Sequence, residues 1–205
     1  MILRYKISHI LSHLSITFIP RACLGKLTKG QNMIQKLSNT PIKSSAGQGK
    51  RMIRVCFVCH GNICRSTMAQ YIAQHLVTQS GMESNFYIDS AATSREEIGN
   101  PVHYGTRRKL EAEGIFCGDH RARQLKKSDY DEFDFLIGMD TQNIRNMYRI
   151  LGEDPEQKVY KLLDFTERKG DIADPWYTGN FDLTYRDVLD GCRGLLKFIE
   201  EQESV

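Results

Sequence analysis

The first 51 residues contain no aspartate or glutamate, although they contain nine lysines and arginines. This leaves 19 of the 28 basic residues beside all 25 acidic residues in the rest of the chain, a net charge of −6. A mildly acidic domain does not indicate a nucleic-acid surface. The acid-free part and the remainder differ so much in composition that we predict a single globular domain over residues 52–205, preceded by an extension over residues 1–51.

The extension also lacks an apolar run long enough to span a membrane. Its most apolar part, from Ile10 to Ile19, is short and is interrupted by Ser12, His13 and Ser15. We therefore expect no membrane partner. Three interpretations of residues 1–51 stay open: a disordered basic tail, an organelle targeting segment, or an extension that is not native.

The six cysteines do not have the spacing of a secreted disulfide framework, which favours a reducing compartment and a cytoplasmic location. A thioredoxin-like pair of Cys56 and Cys59 is disfavoured, because Cys56 is expected in the middle of a strand and pointing away from the loop after it. The other cysteines lie far from one another in sequence, and no second pair of metal ligands is visible. We therefore predict no metal and no other cofactor.

Apolar and amphipathic segments alternate along residues 52–205. We predict strands over 53–58, 86–90, 133–139 and 159–165, and helices over 66–79, over 101–113, after a cap at Asp140, and from Tyr185 to Ile199. Strands alternating with helices indicate right-handed crossovers. The predicted fold class is therefore α/β: one Rossmann-like domain with a four-stranded parallel sheet and helices on both faces.

The stretch VCFVCHGNICRS, from Val55 to Ser66, carries the most specific chemical signal. It predicts a buried strand, a tight loop over residues 60–62 and a helix start, a geometry that turns backbone N–H groups towards a phosphate-sized anion. Cys59 and Arg65 lie at the two ends of the loop. We expect Cys59 to be a thiolate nucleophile at neutral pH, and Arg65 to hold two oxygens of the anion with its planar fork.

A thiolate that attacks a phosphate monoester also needs an acid to protonate the leaving oxygen. Asp174 is the best candidate, since Asp-Pro-Trp-Tyr stands in a predicted loop between Gly170 and Gly179. Trp176 and Tyr177 can supply aromatic walls for a phenol ring. The plain alternative is an ordinary Asp-Pro turn.

The pattern Cys-x-Gly-Asn-x-Cys-Arg-Ser, from Cys59 to Ser66, resembles the loop of the low-molecular-weight protein-tyrosine phosphatases, and Asp-Pro with two aromatic residues is similar to their general-acid loop. The resemblance covers roughly residues 52–203. It implies hydrolysis of protein phosphotyrosine through a phosphocysteine, without a cofactor, by a monomer or weak homodimer. The implied catalytic residues are Cys59, Arg65 and Asp174. The implied substrate-binding residues are His60, Gly61, Asn62, Ile63, Cys64, Ser66, Trp176 and Tyr177.

The resemblance also assigns supporting roles. Ser66 should stabilise the departing Cys59 sulfur, and Ser90 should tie down Asn62, which is expected to be strained. Cys64 should form a reversible disulfide with Cys59 that prevents over-oxidation. For Cys64, simple packing under the loop is the alternative.

The sequence departs from the family pattern in three places. Thr67 replaces the usual proline, and Arg95-Glu96-Glu97 occupies a loop that often contains an aromatic residue. Glu113 stands where eukaryotic members have a histidine, so Asn62 must be buttressed differently. The charged loop leaves the substrate preference open.

Three other functions compete with this one. A protein-arginine phosphatase shares the fold, but such enzymes carry threonine at the position of Ile63, and the bulkier Ile63 favours phosphotyrosine. An arsenate reductase needs two further cysteines close together, whereas Cys117 and Cys192 are far apart in sequence. An inactive phosphate-binding module is disfavoured, because a nucleophile, a guanidinium and an acid occur together.

Overall fold

The computed structural model of the chain describes residues 51–203, so the predictions for residues 1–50 lie outside the described part. The strands are β1 (Ile53–Cys59), β2 (Phe86–Ala92), β3 (Phe135–Gly138) and β4 (Val159–Lys161). The helices are α1 (Arg65–Gln79), α2 (Tyr104–Ala112), α3 (Asp129–Glu132), α4 (Thr141–Leu151), α5 (Pro175–Thr178) and α6 (Phe181–Glu203). Within residues 51–203, no helix combines the length and the apolarity that crossing a bilayer requires.

The four strands form one sheet in the order β2-β1-β3-β4, and every neighbouring pair is parallel. The predicted four-stranded parallel sheet is thereby confirmed. Cys59 pairs with Ala92 at the end of β2, and Val58 pairs with Gly138 at the end of β3. The carboxyl ends of the three strands therefore meet at one edge, where ligands bind in open parallel sheets.

Strand β1 is central and apolar on both sides. Val55, Phe57 and Cys59 face a core that is shared with α1, α2 and α6. Cys56 and Val58 face the opposite core, which includes residues of α3 and α4. Helices therefore cover both faces, as predicted. Cys56 points away from Cys59, because residues three apart on a strand lie on opposite faces, and this excludes a thioredoxin-like pair.

Several element boundaries differ from the prediction, and three of them have a local cause. Strand β4 ends at Lys161, because the Asp164 carboxylate accepts the Lys161 N–H at 3.0 Å and turns the chain into a 3₁₀ helix, Leu162–Phe165. Helix α2 begins at Tyr104 and not at residue 101, since the His103 ring accepts the Gly105 N–H and caps the helix. Strand β3 begins two residues later than predicted, because the short helix α3 precedes it.

Candidate active site

Cys59 is the last residue of β1, and α1 begins at Arg65, so the loop between them contains only residues 60–64. The loop folds back over the Cys59 sulfur. The Asn62 N–H points to Cys59 Sγ at 3.3 Å, and the Ser66 hydroxyl lies 3.1 Å from the same atom. Two donors at hydrogen-bond distance stabilise a thiolate relative to a thiol. The structure thus brings together the predicted nucleophile and the two groups expected to stabilise its charge.

Asn62 organises the inside of this loop. Its backbone is left-handed, with φ of 58°, a conformation that asparagine tolerates better than most residues. Its side-chain amide donates to Ser66 Oγ at 3.0 Å and to Ser90 Oγ at 2.8 Å. Because Ser66 accepts from Asn62, its own proton is available to Cys59. The strained conformation of Asn62 and its contact with Ser90 are found as the resemblance implied.

Two residues that the sequence did not predict, His120 and Arg123, form hydrogen bonds with Asn62. His120 donates through Nε2 to the Asn62 carbonyl at 2.8 Å, and the Arg123 N–H donates to Asn62 Oδ1 at 3.0 Å. Burial lowers the pKa of His120, so the ring is neutral and its Nε2 carries a proton. Glu113, in contrast, binds Lys109 on the surface. His120 therefore supplies the different buttress that Glu113 implied.

The Arg123 side chain anchors this support to the fold. Its guanidinium binds Asp89 on β2 at 2.8 Å and Asp129 on α3 at 3.0 Å. Burial opposes the charge of Arg123, but the nearby Cys56, Asp89 and Asp129 groups outweigh it and raise the pKa of Arg123. Asp89 and Asp129 thereby fix the backbone segment that binds Asn62.

Replacing Asn62 by alanine should lower the free energy of unfolding by about 2–4 kcal/mol. The variant loses the side-chain bonds to Ser66, Ser90 and the Arg123 N–H, each worth about 1 kcal/mol, and places alanine in a left-handed conformation. Urea denaturation followed by fluorescence measures the loss. The control is Asn146→Ala on α4, whose hydrogen bonds are exposed, with an expected change within about 0.5 kcal/mol. Equal changes in both variants would contradict the role of Asn62.

Among the described residues that line the pocket, Arg65 is the only arginine or lysine, and it is only 3% exposed. Its NH1 donates to Asp140 Oδ2 at 2.5 Å and to the Ile172 carbonyl at 3.0 Å, while NH2 donates to Asp174 Oδ2 at 2.5 Å. Burial opposes the guanidinium charge, but Cys59, Asp174 and Asp140 outweigh it and raise the pKa of Arg65. Its Nε is buried and has no partner within residues 51–203. A phosphate oxygen suits such a donor.

Asp140 has two functions in this arrangement. Its Oδ1 accepts the Asn143 N–H at 2.6 Å and caps α4, which confirms the predicted cap. Its Oδ2 orients Arg65, a role that sequence analysis missed. The available signal was position: Asp140 follows β3, whose carboxyl end lies beside that of β1.

Asp174 is the residue immediately before α5. Its Oδ1 accepts the Trp176 N–H at 3.1 Å, and Pro175 occupies the first position of the helix. Its Oδ2 binds Arg65. The segment is therefore not an ordinary Asp-Pro turn: one oxygen of Asp174 caps a short helix, and the other binds Arg65 at the site.

A pocket of about 120 Å³ opens above the Cys59 loop. It is lined by Cys59, His60, Gly61, Ile63, Cys64, Arg65, Glu96, Glu97, Asp174, Trp176 and Tyr177. Trp176 and Tyr177, at 57% and 84% exposed, offer open aromatic surface, and Trp176 packs edge-on against His103. Of the predicted site residues, Asn62, Ser66 and Ser90 are fully buried and support the loop without lining the pocket.

Cys64 is buried beside the nucleophile. Burial, together with the charge of Cys59, raises the pKa of the Cys64 thiol to about 12. Cys64 is therefore protonated at neutral pH and is not a competing nucleophile. A disulfide between Cys64 and Cys59 stays a prediction.

A thiol at the carboxyl end of a central parallel strand, inside a loop that closes on a buried guanidinium, defines an α/β domain with a cysteine-based site for a phosphate-sized anion. The family profile described as low molecular weight phosphotyrosine protein phosphatase matches residues 54–205. The low molecular weight protein-tyrosine-phosphatase YfkJ of Bacillus subtilis is 40% identical over 156 residues, which are 75% of this chain and 100% of YfkJ. This chain belongs to the low molecular weight phosphotyrosine protein phosphatase family.

Solved structures agree with this assignment. The crystal structure of YfkJ aligns with a TM-score of 0.72 at 39% identity and covers 77% of this chain and 99% of YfkJ. The crystal structure of DARP, a Drosophila arginine phosphatase, aligns with a TM-score of 0.64 at 28% identity and covers 71% of this chain and 98% of DARP. The fold predicted from the sequence is therefore confirmed by comparison as well as by topology.

Proposed function

We propose that this chain hydrolyses protein phosphotyrosine through a phosphocysteine intermediate. The observation that carries the proposal is the position of Cys59 Sγ, which two donors stabilise at the base of a pocket that also holds the guanidinium of Arg65. In the first step, the sulfur forms a bond to phosphorus and the bond from phosphorus to the phenolic oxygen breaks. Asp174, which the incoming phosphate releases from its ion pair with Arg65 and which then binds a proton, gives that proton to the phenolic oxygen, so tyrosine leaves neutral.

The second step regenerates the thiolate. Asp174, now ionised, takes a proton from water while the water oxygen bonds to phosphorus and the sulfur–phosphorus bond breaks. Ser66 stabilises the departing sulfur with its hydroxyl proton, and inorganic phosphate leaves. Arg65 and the loop N–H groups stabilise the charge on the phosphoryl oxygens in both steps.

The pocket walls support the proposed substrate class. Trp176 and Tyr177 present aromatic surface to a phenol ring, and Ile63 is a bulky apolar residue in the same pocket. A protein-arginine phosphatase is the second candidate, which the likeness to DARP supports. We propose protein or peptide phosphotyrosine as the substrate, a monomer or weak homodimer as the assembly, and the cytoplasm as the location. The free state of Cys56, Cys59, Cys64, Cys117 and Cys192 supports that location.

The test is steady-state hydrolysis, without added metal, of one peptide sequence that carries phosphotyrosine, phosphoarginine or phosphoserine. We expect phosphotyrosine to have the largest kcat/KM. The Asp174→Asn variant should lower kcat for the phosphotyrosine peptide by about 10²–10⁴-fold, since it cannot donate a proton. It should lower kcat much less for an aryl phosphate whose phenol is already acidic.

Asp190→Asn on α6, an exposed position, is the matched control and should retain the wild-type values for all substrates. A preference for phosphoarginine would keep the nucleophile and overturn the assigned substrate. An equal loss by Asp174→Asn for good and poor leaving groups would remove Asp174 as the acid.

A further inference from the structure

The mouth of the pocket carries two carboxylates that the mechanism does not use. Glu96 and Glu97 belong to the segment between β2 and α2, and both line the pocket. Glu96 Oε2 lies 2.9 Å from His60 Nε2, which joins this segment to the catalytic loop. The Glu96 side chain is 71% accessible and the Glu97 residue is half-buried, so Glu96 is the more open of the two to a substrate.

Glu97 is held close to the loop. Its Oε2 accepts a hydrogen bond from Asn100 Nδ2 at 2.6 Å. Its side chain also lies directly over Gly61, since a Cβ atom added to Gly61 would stand 3.0 Å from Glu97 Cγ. The charge of Glu97 is therefore fixed at the mouth, with a packing contact and a hydrogen bond that restrict its rotation.

Among the described residues that line the pocket, Arg65 is the only arginine or lysine. Arg65 is buried at the base and is bound to Asp140 and Asp174. Arg95 is exposed and adjacent in sequence, but it does not line the pocket. His60 also lines the pocket, and its Nε2 lies 2.9 Å from Glu96 Oε2. The side-chain carboxylates that an approaching peptide meets at the mouth, outside the phosphate site, are therefore those of Glu96 and Glu97.

A phosphorylated residue can enter this pocket only with its phosphate group first. The buried, unpartnered Nε of Arg65 places the phosphate at the base, beside Cys59. The peptide residues on either side of the phosphorylated one then lie at the mouth, near Glu96 and Glu97. Opposite charges at a few ångströms attract and like charges repel, and such rim charges select partners.

We propose that Glu96 and Glu97 make this enzyme select phosphotyrosine sites flanked by lysine or arginine and reject sites flanked by aspartate or glutamate. The inference rests on the proposed phosphotyrosine activity and adds to it a class of substrate sequence. The two carboxylates are specificity residues, since they act on the neighbours of the reacting group and not on the phosphate.

Three phosphotyrosine peptides of equal length test this, with lysine, alanine or glutamate at the two positions on each side. We expect kcat/KM in the order lysine, alanine, glutamate, with about a tenfold to hundredfold spread between the extremes at low ionic strength. The spread should fall below about threefold in 0.5 M NaCl, where screening acts over a few ångströms. The double variant Glu96→Gln, Glu97→Gln should reduce the low-salt ratio to about threefold or less.

The paired change Glu153→Gln, Glu156→Gln, at two exposed positions, is the control for net charge, because it also removes two negative charges. Glu153 is exposed and follows the far end of α4, about 16 Å along that helix from Asp140. This variant should retain the full peptide ratio. A wild-type enzyme that hydrolyses all three peptides equally, or a double variant that keeps the wild-type ratio, would overturn the inference alone. If the wild-type enzyme hydrolysed neither the three peptides nor free phosphotyrosine, the proposed function would be wrong, and the inference with it.

Discussion

Cys59→Ser should lower kcat for a phosphotyrosine peptide by about 10⁴-fold or more. A serine hydroxyl at this position stays protonated at neutral pH, since a hydroxyl is a far weaker acid than a thiol and the loop donors cannot make up the difference. It is also a poor leaving group in the second step. The loss should appear in kcat and not in binding, because Arg65 and the Asn62 N–H are retained.

Two measurements separate these effects. Stopped and continuous phosphate-release assays give kcat, and titration calorimetry with the phosphotyrosine peptide gives the dissociation constant, which should stay within about tenfold of the wild-type KM. Cys117→Ser is the matched control, since Cys117 is a buried thiol outside the pocket, and it should keep full activity. Activity of Cys59→Ser within tenfold of the wild type would show that the nucleophile lies elsewhere.

The nucleophile loop could be predicted because its determinants are local. Strand, loop and helix start all lie between Val55 and Ser66. Strand β1 is buried on both faces because its successive residues are apolar. The same holds for the cap at Asp140, since its partner Asn143 is three residues away. Structure that depends on residues close in sequence can be predicted from the pattern of residue types.

The supports of the loop could not be predicted in this way. His120 and Arg123 contact Asn62 across 58 and 61 residues of sequence, and Asp140 contacts Arg65 across 75. These contacts depend on the strand order, which places the segments after β2 and β3 beside the end of β1. A parallel sheet was predictable, but the order of its strands was not. His120 stands among basic residues in irregular backbone and carries no periodic signal of its own.

The resemblance supplied part of what periodicity could not. It assigned Ser90 to Asn62 correctly across 28 residues. It also implied that Asn62 has a buttress that differs from the family's because Glu113 replaces a histidine, but it did not identify His120 as that residue. A family pattern therefore identifies which group needs support more reliably than it identifies the residue that gives it.

Arg65→Lys should lower kcat/KM for phosphotyrosine by about 10²–10³-fold, although it keeps the positive charge. The guanidinium uses separate nitrogens for separate tasks: NH1 binds Asp140 and the Ile172 carbonyl, while the buried Nε is free for a phosphoryl oxygen. A lysine ammonium is a single point and cannot occupy both places. Removal of one donor to the transition-state oxygens costs about 10²–10³-fold in other enzymes.

The same variant should be less stable, by about 2–4 kcal/mol, because Asp140 and Asp174 lose a buried partner that binds both. Kinetics and urea denaturation therefore need to be measured on the same preparation. Arg145→Lys, at an exposed position of α4, is the control and should change neither quantity. If Arg65→Lys were unstable but fully active per folded molecule, Arg65 would be a structural ion pair. If it were stable and inactive, the fork geometry itself would be needed for catalysis, and Asp140 would then be the residue that sets it.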